Sequence, residues 1–265
     1  MKFADAEEDY GTARYIIFGV PFEDKEMSFR SGAARAPNAI RDVSYNYESH
    51  HFQSGVDLSI ARMHDAGNFS LEGAKKFLEK VIEDGKTPIV MGGAHSITPP
   101  LVSSLDLDDD FGVVILDAHM DFRSSYLGSP QSHACTARRI FEMVGRERVL
   151  AAGVRSASSE EIKEAKNLGF RHYGVASIKN LADEIPFERI YLSIDMDVFD
   201  PCHAPGVSNP EPFGAGYEVF DFVRRMAKQV VAMDVVEVCP PHDDGRTALL
   251  AAALIREMVA YRERD

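Results

Sequence analysis

Six apolar runs of strand length recur along this chain, separated by helical patterns and turn signals. They are Tyr15–Val20 (YIIFGV), 87–91 (TPIVM), 112–116 (GVVIL), 149–154 (VLAAGV), 189–194 (RIYLSI) and 230–238 (VVAMDVVEV). Most are nearly continuous in Val and Ile, as strands buried on both faces are. Between them the spacing predicts a helix over 72–84, with Phe77, Val81 and Ile82 on one face and Gly85 as its stop. Residues 158–168 open on Ser158 and Glu161, the pattern of a capping box, and Gly169 follows their end. Residues 246–262 read as a long last helix. Strand followed by helix, repeated, implies parallel βαβ units and so an α/β fold of three layers, αβα, around a mostly parallel sheet. No repeat, low-complexity tract or Pro/Ser-rich linker interrupts the pattern, so residues 1–265 are expected to form one domain. The acidic run 106–110 (DLDDD) is expected to be a solvated loop.

Composition removes several classes of function. No run approaches the roughly 18 apolar residues of a membrane span, and the start MKFADAEEDY lacks the apolar stretch of a signal peptide. The cysteines Cys135, Cys202 and Cys239 show no CxxC spacing; they suit a reducing cytoplasm better than a disulfide framework or a zinc knuckle. With 29 Lys and Arg against 42 Asp and Glu, the net charge of -13 argues against nucleic acid and suits a cationic ligand.

The residues that follow the core runs carry the chemistry. TPIVMGG leads into His95, GVVIL into Asp117, His119 and Asp121, and RIYLSI into Asp195 and Asp197. Ligands of open parallel sheets bind beyond the carboxyl ends of the strands, so three strands deliver six donors to one edge. Four carboxylates gathered without counter-charge would repel until several protonated; two divalent cations bring +4 against their −4. Oxygen and imidazole donors without thiolate favour a metal such as manganese. Donors two residues apart on extended chain point the same way, so Asp117, His119 and Asp121 are expected to serve two adjacent ions from one segment. His203 and His242 lie off this pattern, and Cys135 and Cys202 are expected to pack rather than react.

The segments GGAHS (92–96), DAHMD (117–121), SHAC (132–135), SIDMDVFDPCHAPG (193–206) and DVVEVCP (234–240), with 19–41 near the start, resemble the ureohydrolase family of arginase, agmatinase and formimidoylglutamase. The likeness is greatest to its agmatinase branch and runs from about Arg14 to the last helix. It implies an arginase-like fold and two Mn2+ ions. One ion would be held by His95, Asp117, Asp121 and Asp195, the other by Asp117, His119, Asp195 and Asp197, with Asp117 and Asp195 bridging. It further implies a metal-bridging hydroxide that attacks the guanidinium carbon of agmatine, yielding urea and putrescine. Glu237 matches the family's guanidinium-anchoring carboxylate and His133 its proton-shuttling histidine, and Asp121 joins them as a catalytic residue. The expected partner is a small cationic guanidino substrate, and the expected assembly a homotrimer or hexamer.

Two positions depart from the family pattern. Ala94 replaces the usual acidic residue of GGxHS, and Ser208 stands where agmatinases commonly have Gly and formimidoylglutamase-like members have Ser. Guanidinobutyrate, arginine and formimidoylglutamate therefore stay open as substrates, as does a metal-bound member without activity.

Overall fold

In a computed structural model of the chain, which describes residues 1–24, 27–106, 108 and 110–264, the elements run β1 (Tyr15–Val20), α1 (Ala36–Ser44), β2 (His50–His51), β3 (Val56–Asp57), β4 (Met63–Asn68), α2 (Leu71–Glu83), β5 (Thr87–Gly92) and α3 (Thr98–Val102). There follow β6 (Phe111–Leu116), α4 (Thr136–Val144), β7 (Val149–Ala152), α5 (Ser159–Leu168), β8 (Arg171–Tyr173) and α6 (Ile178–Leu181). The chain ends with β9 (Arg189–Asp195), α7 (Tyr217–Met226), β10 (Val230–Val236) and α8 (Arg246–Glu263). Eight strands form one sheet in the order β4-β1-β5-β10-β9-β6-β7-β8, and β2 and β3 make a small separate hairpin. All pairings within the large sheet are parallel.

Successive side chains along a strand face opposite ways, and here both faces are apolar. Along β6, Val113 and Ile115 join one core with Ala74, Leu78 and Val81 of α2 and with Ile140 of α4. Val114 and Leu116 join the other, with Ile40 of α1, Phe222 of α7 and Leu254 of α8. This is the three-layer αβα arrangement expected from the continuous Val/Ile runs. The capping box at Ser158 and Glu161 is present, and Gly169 closes α5 in the left-handed conformation.

Several elements differ from the sequence expectation for local reasons. Strand β7 stops at Ala152 because Gly153 turns to φ 97°, and β10 stops at Val236 because Glu237 turns to φ 65°. Helix α2 buries Ala74, Leu78 and Val81, while Phe77 and Ile82 sit half-buried on its flanks. Strand β4 reads MHDAGN and has no apolar run. It is held instead by Arg41 of α1, whose guanidinium pairs with both oxygens of buried Asp65 and also donates to Asn68 and Gly67. The acidic run is exposed at Asp106, Asp108 and Asp110, with Asp108 paired to Arg189; Leu107 and Asp109 lie outside the described residues. Among the described residues no helix is long and apolar enough to cross a membrane.

Candidate active site

Four adjacent strands, β5, β10, β9 and β6, end on the candidate residues. In register, Leu116 of β6 faces Ile194 of β9, and Asp195 faces Val236 of β10. Asp117, Asp195 and Glu237 therefore leave the sheet within one residue of level. His95 opens a short 3-10 turn just beyond β5, and Asp197 lies in another, Met196–Val198, beyond β9. The carboxyl edge thus gathers all six candidate donors.

Five of them form two groups sharing Asp117, His95 with Asp117 and Asp195 and His119 with Asp117 and Asp197, while Asp121 joins neither group. His95 Nδ1 stands 3.1 Å from Asp117, 3.2 Å from Asp195 and 3.6 Å from Asp121; His119 Nδ1 stands 2.8 Å from Asp197. The DAHMD segment is not the extended run expected. Asp117 Oδ1 accepts the His119 N–H at 2.6 Å, and Asp121 sits at φ 49°, so the chain turns twice. His119 is thereby aimed at Asp197 and Asp121 at His95, which brings the donors together by folding back rather than by alternation.

Electrostatics mark the same atoms. Burial pushes Asp121 and Asp195 well above the usual carboxylate range, and neighbouring carboxylates, Asp117 for the first and Asp197 and Asp117 for the second, push them further. Burial would depress His95 and His119, but the carboxylates around them outweigh it and hold both imidazoles well above their ordinary value. Asp117 is held low by hydrogen bonds to these two histidines, against its burial. His95 Nδ1 and Asp117 Oδ2 are buried 3.1 Å apart, and neither makes a hydrogen bond of good geometry among the described residues. Unpaired buried polar atoms are costly, and an all-oxygen-and-imidazole set with orphaned donors fits divalent cations.

A polar relay that the strand-end motifs did not announce fixes the His95 ring. Its Nε2 lies 3.0 Å from Ser193 Oγ, and that hydroxyl donates to Asp234 at 2.6 Å. Thr98 and Tyr191 also donate to Asp234, which is fully buried. Because the Ser193 hydrogen is committed to Asp234, Nε2 carries the proton of the neutral ring, which leaves the Nδ1 lone pair for a metal.

Glu237 is buried among these residues. Its Oε1 accepts the His95 N–H at 2.6 Å, its own N–H donates to Gly93, and its carboxyl is raised by burial. Oε2 has no partner of good geometry, nor does the hydroxyl of Ser208, which adjoins this carboxyl. Two of the non-glycine residues at positive φ are Asp121 and Glu237, strained backbone of the kind that gathers at functional sites. His133 faces a cavity of about 500 Å3 that is also lined by His119, Asp121, Arg123, Tyr126 and Glu161. Its Nδ1 and its backbone N–H both face Asp24.

Other residues stay outside. His203 and His242 are exposed and join neither donor group. Cys135 and Cys239 are buried, but Cys202 is exposed rather than packed, because it sits in the turn whose N–H is taken by Asp200. Ala94 is buried and spends its N–H on the Phe22 carbonyl. Asp24, Asp234 and Arg155 were not singled out by sequence reasoning. Asp234 alone carried a signal, as a charge inside an otherwise apolar strand.

The chain is similar to known proteins over nearly its whole length. The sequence model described as the arginase family matches residues 13–260. The agmatinase of Pyrococcus horikoshii is 35% identical over 274 residues, covering 97% of this chain and 94% of that protein. The N(1)-aminopropylagmatine ureohydrolase of Thermococcus kodakarensis is 33% identical, with 92% and 88% covered. Among solved structures, the agmatine ureohydrolase of Thermoplasma volcanium superposes with a TM-score of 0.94 at 36% identity, over 99% of this chain and 94% of the other.

Proposed function

Since the chain belongs to the arginase family, whose members are hydrolases of guanidino and related amidino groups, we propose that it hydrolyses agmatine to urea and putrescine with two Mn2+ ions. The observation that carries this reading is the buried donor set around His95 Nδ1 and Asp117 Oδ2, neither of which makes a well-formed hydrogen bond, beside a cavity that His119 and Asp121 line. His95, Asp117, Asp121 and Asp195 would hold one ion, and Asp117, His119, Asp195 and Asp197 the other. Ions held there would supply Lewis-acid chemistry, lowering the pKa of a water toward neutrality.

The chain's own residues do the rest. Glu237 would turn Oε2, buried and without a partner of good geometry, to the guanidinium while Oε1 stays tied to the His95 N–H. His133 holds a proton beside the cavity for the departing amine. The mouth favours an amine-tailed substrate. Glu161 lines it, Glu211 lies 3.6 Å from His119 Nε2, and Arg123, the arginine of the wall among the described residues, is already paired with Glu161 at 3.2 Å. A second reading rests on that same Arg123, which is 37% exposed at its side chain and would meet the carboxylate of arginine or guanidinobutyrate.

Release of urea or formamide from agmatine, aminopropylagmatine, arginine, guanidinobutyrate and formimidoylglutamate by manganese-loaded protein separates these readings. Agmatine is expected to give the highest kcat/KM. A carboxylate-bearing substrate in first place would transfer the assignment to the second reading, and no turnover of any would leave a metal-bound member without activity. The same proposal treats residues 1–265 as one catalytic domain in a cytoplasmic homotrimer or hexamer, which light scattering of the purified protein tests for mass.

A further inference from the structure

We propose that Asp24 is a positioning residue for His133: its carboxylate holds the imidazole with Nδ1 protonated and turned to the wall, so that Nε2 alone exchanges a proton with the cavity. The inference rests on the proposed function for what that proton does, but its geometry stands independently.

Asp24 Oδ2 accepts the His133 backbone N–H at 2.8 Å and lies 3.3 Å from His133 Nδ1. Its Oδ1 accepts the Ser96 hydroxyl at 2.8 Å. An ionised carboxylate has no hydrogen to give, so the ring nitrogen facing it must be the donor. Asp24 stays ionised, because hydrogen bonds from His133 and Ser96 outweigh its burial and lower its pKa. His133 Nε2 makes no protein hydrogen bond among the described residues, while the ring borders the cavity beside Asp121. The 3-10 turn at His133–Cys135 does not require Asp24, since Ser132 already caps it through the Ala134 N–H.

The placement of Asp24 is built in as well. Two residues earlier, the Phe22 carbonyl accepts the Ala94 N–H at 3.0 Å, and a Cβ on Gly93 would come within 1.9 Å of that oxygen. The N-terminal segment is thus pressed onto the loop after β5, which sets Asp24 over Ser96. Carboxylate, imidazole and an unpaired Nε2 on a ring that lines the cavity form the arrangement by which an aspartate fixes the tautomer of a histidine.

The two simplest substitutions separate this role from a structural one. In Asp24→Asn the amide oxygen is expected at the Oδ2 position, because the His133 N–H is a fixed donor whereas Ser96 can accept as readily as donate. Asparagine therefore keeps the Nδ1–H tautomer, and alanine frees it. For Asp24→Ala we expect kcat to fall about 10- to 100-fold with KM within about threefold and metal content unchanged; Asp24→Asn should recover most of that loss. Nitrogen-15 spectra of the imidazoles, taken on zinc-loaded protein at a pH where His133 is neutral, should show Nδ1–H in the wild type and in Asp24→Asn, and a tautomer mixture in Asp24→Ala. An Nε2–H tautomer in the wild type overturns the proposal, whatever the variants do. So does an Asp24→Ala protein with unchanged kcat, or an Asp24→Asn protein as slow as the alanine variant. If no guanidino compound is turned over, the functional reading fails while the spectra still decide the role of Asp24.

Discussion

Glu237 keeps one carboxylate oxygen occupied by the His95 N–H and presents the other unpaired. In Glu237→Gln the amide oxygen stays with that N–H, so an NH2 faces the guanidinium donors. The loss of the charge-assisted hydrogen bond to that oxygen, about 1.5–3 kcal/mol, corresponds to roughly a ten- to hundredfold fall in kcat/KM. Both metals should remain, because Glu237 is not among the proposed ligands. Metal analysis and urea release on one preparation check this, and near-normal kcat/KM would remove Glu237 from the mechanism. Asp234 acts one step further back. Its two oxygens accept from Ser193, Thr98 and Tyr191. An asparagine there leaves at least one of these hydroxyls facing an NH2 and loosens the hold on the His95 tautomer. Metal titration of Asp234→Asn should show about 10- to 100-fold weaker affinity, the usual cost of removing such support. The six donors were singled out because they follow apolar strands, whereas Glu237 was singled out through the family resemblance. Asp24 was not, since it lies in a loop and meets His133 across 109 residues of sequence.

At the level of elements, the loop from Asp197 to Pro212 is organised by one side chain from beyond β7. Arg155 donates to the carbonyls of Gly153, Asp197, Val198, Phe199, Glu211 and Pro212. A lysine keeps the charge but has three donors on a point rather than a planar fork. Arg155→Lys should therefore lose roughly 2–4 kcal/mol of stability, by urea denaturation, from carbonyls left unpaired. It should also weaken the metal position built on Asp197. Unchanged stability would show that water replaces the guanidinium without cost. Strands are legible where both faces are apolar, as in β1 and β6, and illegible at the sheet edges. There β4 relies on Arg41 for its buried Asp65, and β8 has three residues, none of them fully buried. Short-range pattern contains no trace of a partner 24 positions away.

Across the whole molecule, the parallel sheet brings four strand ends into one pocket and so concentrates charge that the fold cannot neutralise with its own cations. Without metal, Asp121, Asp195, His95 and His119 all have pKa values pushed upward, the carboxylates by burial and mutual repulsion, the imidazoles by the carboxylates around them. Raised pKa values mean that the metal-free site keeps its protons to higher pH than free side chains would, and a cation must displace those protons to bind. Metal affinity should accordingly rise as pH rises and fall in acid. Loading at pH 7 should release at least one proton, read from titration calorimetry in buffers of different ionisation enthalpy. Binding to the folded state alone also stabilises it by RT ln(1 + [M]/Kd), about 2.7 kcal/mol when free metal is a hundred times Kd. For a chain of this size that is a rise in Tm of about 5–10 °C, reversed by chelation. A zero slope of heat against buffer enthalpy, with metal bound, would show that the donors were already deprotonated and that the repulsion among them is relieved some other way.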